Sequence, residues 1–99
     1  MGHTTERKLM NNVRREVLFS GQVQGVGFRY TVMRIAATLE VTGFVRNLSD
    51  GRVQLVAEGA SGEINRLLDG IHDAMGGNIR DEETIEASAT GKFHGFGVR

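Results

Sequence analysis

Residues 21–29 read GQVQGVGFR: an apolar approach, a turn carrying Gly25 and Gly27, and then Arg29 one step into a helical pattern. Before it, residues 16–23 (EVLFSGQV) alternate as a first strand, Val17 and Phe19 on one face and Leu18 and Ser20 on the other. After it, Phe28, Val32, Ile35, Ala36 and Leu39 recur at helical spacing, and Met33 and Ala37 widen that stripe. A strand, a glycine loop and a helix in succession constrain the fold, because the helix must lay its apolar face back on the sheet the strand begins.

The loop also carries chemistry. Glycine reaches backbone conformations closed to other residues, so successive N–H groups can converge on one concavity suited to an anion. The start of the helix adds unpaired N–H groups and the positive end of its dipole. Arg29 supplies a planar fork of donors that matches a phosphate or carboxylate. The string is not a Walker A loop, since no Gly-Lys-Ser/Thr follows, and it is not GxGxxG. Taken alone, a glycine turn between strand and helix favours a structural role.

Outward from the loop, residues 42–47 read as a second strand, Ser49, Asp50 and Gly51 as a hairpin turn, and residues 52–58 as a third strand. In that third strand Val53, Leu55 and Ala57 oppose Gln54, Val56 and Glu58. Ser61 is placed to cap a second helix, with Glu63 in its first turn. Ile64, Leu67, Leu68, Ile71 and Met75 form its apolar stripe, and Gly76 and Gly77 stop it. Residues 78–83 read as a polar connection, with Asp81, Glu82 and Glu83 in a solvated loop rather than a metal site. Residues 84–89 and 93–98 complete the strands. The order predicts an α+β fold, a ferredoxin-like split β-α-β sandwich with an antiparallel sheet of four to five strands and two helices on one face. In that topology the first strand and the strand holding Asn47 lie side by side in the centre. Arg29, the backbone N–H groups of residues 24–28 and Asn47 then come within reach of one small ligand. Residues 1–14 are polar and aperiodic and read as a flexible tail, leaving 15–99 as one domain.

Bulk properties narrow the classes. The 99 residues suffice for one small core. Cysteine is absent, which removes disulfides, thiolate metal sites and cysteine-dependent phosphatase chemistry. No apolar run approaches the roughly 20 residues of a membrane helix, and no signal-peptide core is present, so a cytoplasmic protein without membrane contact is expected. Net charge is zero, but residues 1–52 hold eight Lys/Arg against four Asp/Glu, and the remainder four against eight. The basic excess suits steering of a small anion and is too thin for a nucleic-acid surface. Tyr30 and the five phenylalanines follow core-like positions, which also argues against base stacking.

Two strings together, GQVQGVGFR and GFVRNLSDG (residues 43–51), resemble the signature of the acylphosphatase family. The likeness continues through GRVQLVAEG and a closing FHGFGV, covering roughly residues 15–99. The resemblance implies the same sandwich fold, and an enzyme that hydrolyses the carboxyl–phosphate bond of acyl phosphates without metal or cofactor. By the family motif, Arg29 matches the phosphate-binding arginine and Asn47 the asparagine that orients the attacking water. Gln24, Gly25, Val26, Gly27 and Phe28 form the loop that binds substrate. Ser20, Thr31 and Gln24 are candidate supporting donors. An amide cannot take a proton at neutral pH, so the phosphate itself is the expected acceptor. Gln22 stands where many members carry arginine, and Leu48 where a hydroxyl or proline is often found. A non-catalytic anion-binding or regulatory module is the alternative. The expected partner is a small acyl phosphate, with no nucleic acid, and the expected state is a monomer.

Overall fold

The computed structural model describes residues 12–99. The tail expected over residues 1–14 lies outside them, save that Asn12, Val13 and Arg14 belong to the first strand. That strand, β1 (Asn12–Gly21), starts earlier than its side-chain alternation suggests, because its backbone pairs on both sides: Val13 lies opposite Gly59 on one neighbour and Ser88 on the other. The order continues with α1 (Phe28–Ala36), β2 (Val41–Asn47), β3 (Val53–Ala60), α2 (Ser61–Met75), a 3-10 turn at Gly76–Asn78, β4 (Ile79–Ser88) and β5 (Phe96–Val98).

The strands form one sheet in the order β4-β1-β3-β2-β5. Both helices cover one face, as the expected α+β sandwich requires. Two features differ from expectation. β5 runs parallel to β2, so the sheet is mixed rather than antiparallel throughout. β1 and β2 are not neighbours; β3 lies between them, antiparallel to both. The expected convergence survives this insertion, because Phe19 and Asn47 both lie opposite Val53 and the two C-terminal ends therefore emerge at the same edge. Two strand spacings, about 10 Å, separate them.

The core fills the helix-covered face. Val17 and Phe19 from β1, Val45 from β2, and Val53 and Leu55 from β3 are fully buried. They meet Phe28 and Val32 of α1 and Ile64, Leu67 and Ile71 of α2, the stripes expected from spacing. The Phe19 and Phe28 rings pack tilted, with centroids 5.1 Å apart, so the base of the loop is clamped where β1 ends and α1 begins. Each such side chain contributes about 1.5–3 kcal/mol by leaving water. α1 ends at Ala36, short of Leu39, and α2 takes Ala60 as its N-cap with no side-chain capping bond, so Ser61 is the first helical residue rather than the cap.

Asp81, Glu82 and Glu83 lie within β4 rather than in a loop. β4 is an edge strand, and its exposed carboxylates keep that edge from pairing with another chain. The sheet's other face is covered in part by residues 89–95, which cross from β4 at one edge to β5 at the other. There Phe44, expected in the core, packs instead on Phe93 at 5.9 Å, and the Arg99 guanidinium lies 4.2 Å from the Phe44 ring centre. Phe44 is only 7% exposed, so this face offers no open aromatic platform for bases. Among the described residues no helix is long and apolar enough to cross a membrane.

Candidate active site

The loop between β1 and α1 turns through two glycines, Gly25 at φ 75° and Gly27 at φ 80°. A Cβ at either would touch nothing within 4 Å, so glycine is required there by the left-handed backbone rather than by crowding. Gly27 is also the N-cap of α1, which has no side-chain cap and no acidic residue in its first turn. The positive end of that helix is thus left to whatever occupies the loop. Within the turn, Thr31 donates both its amide and its hydroxyl to the Gly27 carbonyl, each at 3.0 Å.

Gln24 anchors the loop from the other side. Its side-chain amide donates to the carbonyls of Leu48 at 2.8 Å and Arg52 at 2.9 Å, the two residues that close the β2–β3 turn. That turn is held by Leu48 N–H to the Arg52 carbonyl at 2.8 Å, and Asp50 accepts from the Arg52 amide and guanidinium. The bond from the Arg52 amide, above all, holds the Asp50 carboxyl below its ordinary range. The glycine loop and the strand end that carries Asn47 are therefore one hydrogen-bonded unit.

A cavity of about 560 Å³ opens between these parts. Gly25, Gly27, Phe28, Arg29 and Asn47, all named from the sequence, line it together with Val23, Tyr30, Met33 and Val98. Two other residues named from the sequence do not. Gln24 spends its side chain on the turn, and Val26, 44% exposed, projects from between the two glycines. Of the candidate supporting donors, Thr31 serves the helix start and Ser20 lines a separate depression with Asp50, Arg52 and Arg80. Gln22, the departure from the family pattern, faces another depression beside Asn78 and Arg80 and is not in the cavity wall.

Two observations give the cavity its chemistry. Arg29 is exposed and makes no ion pair or hydrogen bond with another described residue, so its fork of donors is unspent. Asn47 Oδ1 is a buried acceptor with no hydrogen-bond partner among the described residues. Leaving such an atom unsatisfied costs about 1–3 kcal/mol, and native structures keep such groups where a ligand or water completes them. Among the described residues the lining includes no carboxylate and no imidazole.

Tyr30, Met33 and Val98 were not singled out from the sequence as site residues. Tyr30, taken there as core-like, is 73% exposed at the cavity mouth. The available signal was angular: Tyr30 is two residues from Phe28, about 200° around a helix, and so falls on the face opposite the buried stripe. Val98 had no local signal, because its position depends on β5 joining the sheet beside β2.

The acylphosphatase family model matches residues 15–98. An acylphosphatase of Salinibacter ruber is 43% identical over 83 residues, covering 81% of this chain and 85% of that one. Among solved structures, an acylphosphatase from Coxiella burnetii superposes with a TM-score of 0.79 at 33% identity, covering 94% of this chain and 98% of that one. The acylphosphatase of Bacillus subtilis reaches the same TM-score, 0.79, at 27% identity and covers 88% of this chain and 98% of its own. With the motif residues, the fold and the family match all in agreement, this chain belongs to the acylphosphatase family.

Proposed function

We propose that this chain hydrolyses the carboxyl–phosphate bond of acyl phosphates in the cavity between the glycine loop and Asn47. The buried, unpartnered Oδ1 of Asn47, in the same cavity as the unspent guanidinium of Arg29, carries the reading. A phosphoryl dianion needs converging donors, and the loop amides around Gly25 and Gly27, the start of α1 and Arg29 supply them without movement. Val26 and Gln24 contribute backbone N–H groups to that cradle, and the Gln24 side chain keeps it in register with the β2–β3 turn.

In this mechanism Asn47 accepts a hydrogen bond from water and fixes the direction of its attack on phosphorus. The new phosphorus–oxygen bond forms as the bond to the carboxyl oxygen breaks, and a carboxylate leaves. One proton of the water passes to a phosphoryl oxygen, so an acyl phosphate dianion and water yield a carboxylate and dihydrogen phosphate. With neither carboxylate nor imidazole in the cavity wall, the substrate's own phosphate is the proton acceptor. The carboxylate is a good leaving group, so electrostatic stabilisation and orientation suffice. The reading includes a monomer as the working unit, a cytoplasmic setting and a small acyl phosphate as partner.

The test is hydrolysis of benzoyl phosphate in EDTA by wild type, Arg29→Ala and Asn47→Ala. Turnover by wild type that falls by about 10²–10³ in each folded variant is expected. Wild type that folds and binds phosphate without turnover would overturn the reading.

A further inference from the structure

We infer that Tyr30, Met33 and Val98 form a subsite for the acyl half of the substrate, selecting flat, apolar and above all aromatic acyl groups over short or charged ones. The inference rests on the acyl phosphate reading above. Its first support is size. The cavity holds about 560 Å³. A phosphate held by Arg29 and the glycine loop meets only part of a lining that also includes Val23, Tyr30, Met33 and Val98.

What lines the remainder is apolar. Four large apolar side chains are exposed among the described residues: Val26, Tyr30, Ile85 and Val98. Tyr30 and Val98, at 73% and 48% exposure, stand in the cavity wall, and Val26 sits between the two glycines that border it. Exposed apolar groups scattered singly call for no explanation, but a cluster at a cavity mouth marks a binding surface. Ile85 lies apart on the far edge strand β4, and Val26, though between the two glycines, is not itself in the lining.

The shape and charge of this wall choose the occupant. Arg29 and Tyr30 are consecutive in the first turn of α1, and Met33 lies one turn beyond Arg29, so the apolar wall begins where the phosphate donors end. β5 contributes Val98 to the same cavity from the sheet. A tyrosine ring and a thioether both make favourable contacts with an aromatic ring. Among the described residues Arg29 is the only charged one in the lining, so once it holds the phosphate a second anionic group on the acyl half finds no charged partner there.

Binding of two non-hydrolysable phosphonates tests this apart from turnover: phenacylphosphonate, carrying a benzoyl group, and acetonylphosphonate, carrying an acetyl group. Wild type is expected to bind the phenacyl compound about tenfold more tightly. Tyr30→Ala and Met33→Ala should each bring that ratio down to about two, while Tyr30→Phe keeps it, since the ring rather than the hydroxyl makes the contact. The ratio of kcat/KM for benzoyl over acetyl phosphate should fall in the same variants. A wild-type phosphonate ratio near one, or a ratio unchanged in both alanine variants, overturns the subsite. If both acyl phosphates are hydrolysed but the ratio is near one, the hydrolytic reading stands and the subsite falls. If the phosphonate ratio and its loss hold but neither acyl phosphate is turned over, the subsite stands and the hydrolytic reading falls.

Discussion

Replacing Glu58 by glutamine should destabilise the whole domain through a contact remote from Arg29 and Asn47. Glu58 is 4% exposed on the sheet face away from the helices. Its Oε2 accepts from the Thr90 amide at 2.9 Å and the Thr90 hydroxyl at 2.7 Å, and its Oε1 accepts from the Gly91 amide at 2.9 Å. These bonds fix the segment that carries Phe93 onto Phe44 and leads into β5, where the Gly43 amide donates to the Gly95 carbonyl at 2.9 Å. A glutamine keeps one acceptor oxygen, and with that oxygen on Thr90 its NH₂ group confronts the Gly91 N–H. One hydrogen bond to a charged acceptor is lost and its donor left unpaired, a loss of about 2–3 kcal/mol. For a domain of this size that lowers Tm by roughly 8–24 °C. Urea denaturation with a fitted slope measures it, and amide exchange at Thr90 and Gly91 locates it.

The pH dependence of that difference is a second check within the same experiment. Burial acts to raise the Glu58 pKa, yet the Thr90 amide and hydroxyl, the Gly91 amide and the Arg14 guanidinium 3.8 Å away outweigh it and hold the carboxyl below the ordinary glutamate range. A carboxyl depressed on folding adds stability that is complete above its unfolded pKa and is lost as pH falls through its folded pKa. Glutamine does not titrate. The gap between wild type and Glu58→Gln should therefore be full at neutral pH and close on acidification below the ordinary glutamate range. A gap under about 0.5 kcal/mol at pH 7, the level of an uninvolved surface change, or a gap that stays constant down through the acid range, would refute the assignment of these bonds.

Three further outcomes follow from the site. Arg29→Ala should weaken competitive inhibition by inorganic phosphate and lower kcat/KM by about 10²–10³, with an unchanged urea midpoint because the guanidinium has no partner among the described residues. Asn47→Ala should lower kcat by a similar factor with little change in KM. It should also leave stability unchanged or raised by about 1 kcal/mol, since it removes a buried oxygen that lacks a partner; thermal denaturation decides. Gln24→Ala should cut the ties to the Leu48 and Arg52 carbonyls, destabilise by about 1–2 kcal/mol, and reduce activity by loosening the loop against Asn47. A loss of rate with unchanged stability would instead mean that Gln24 touches the substrate.

Gly25, Gly27, Phe28, Arg29 and Asn47, expected near one ligand, line one cavity, while Gln24 and Val26 do not, and the reasoning about strand order did not hold. Local pattern marks where β1, α1 and β2 lie, because alternation and the helical stripe reflect burial on one face. It does not say which strand stands between two others. β3 is inserted between β1 and β2, and Arg29 and Asn47 still line one cavity because both strands run antiparallel to β3 and end at the same edge. Direction, not adjacency, brings them together. Gln24 shows the reverse limit. Its place in the motif points to substrate, while its two bonds to a turn 24 and 28 residues away give it a mechanical task that no spacing displays. The segment at residues 89–95 is harder still: residues 93–95, read from their alternation as part of the last strand, lie outside it, and the segment is ordered by Glu58 and Phe44, residues distant in the chain. Yet that segment delivers β5, and with it Val98, to the cavity. In the proposed reading, the phosphate half of the site is built from local motif, and the acyl half depends on a long-range crossover. Changes confined to that crossover or to β5 can alter which acyl group is accepted while leaving the glycine loop, Arg29 and Asn47 intact.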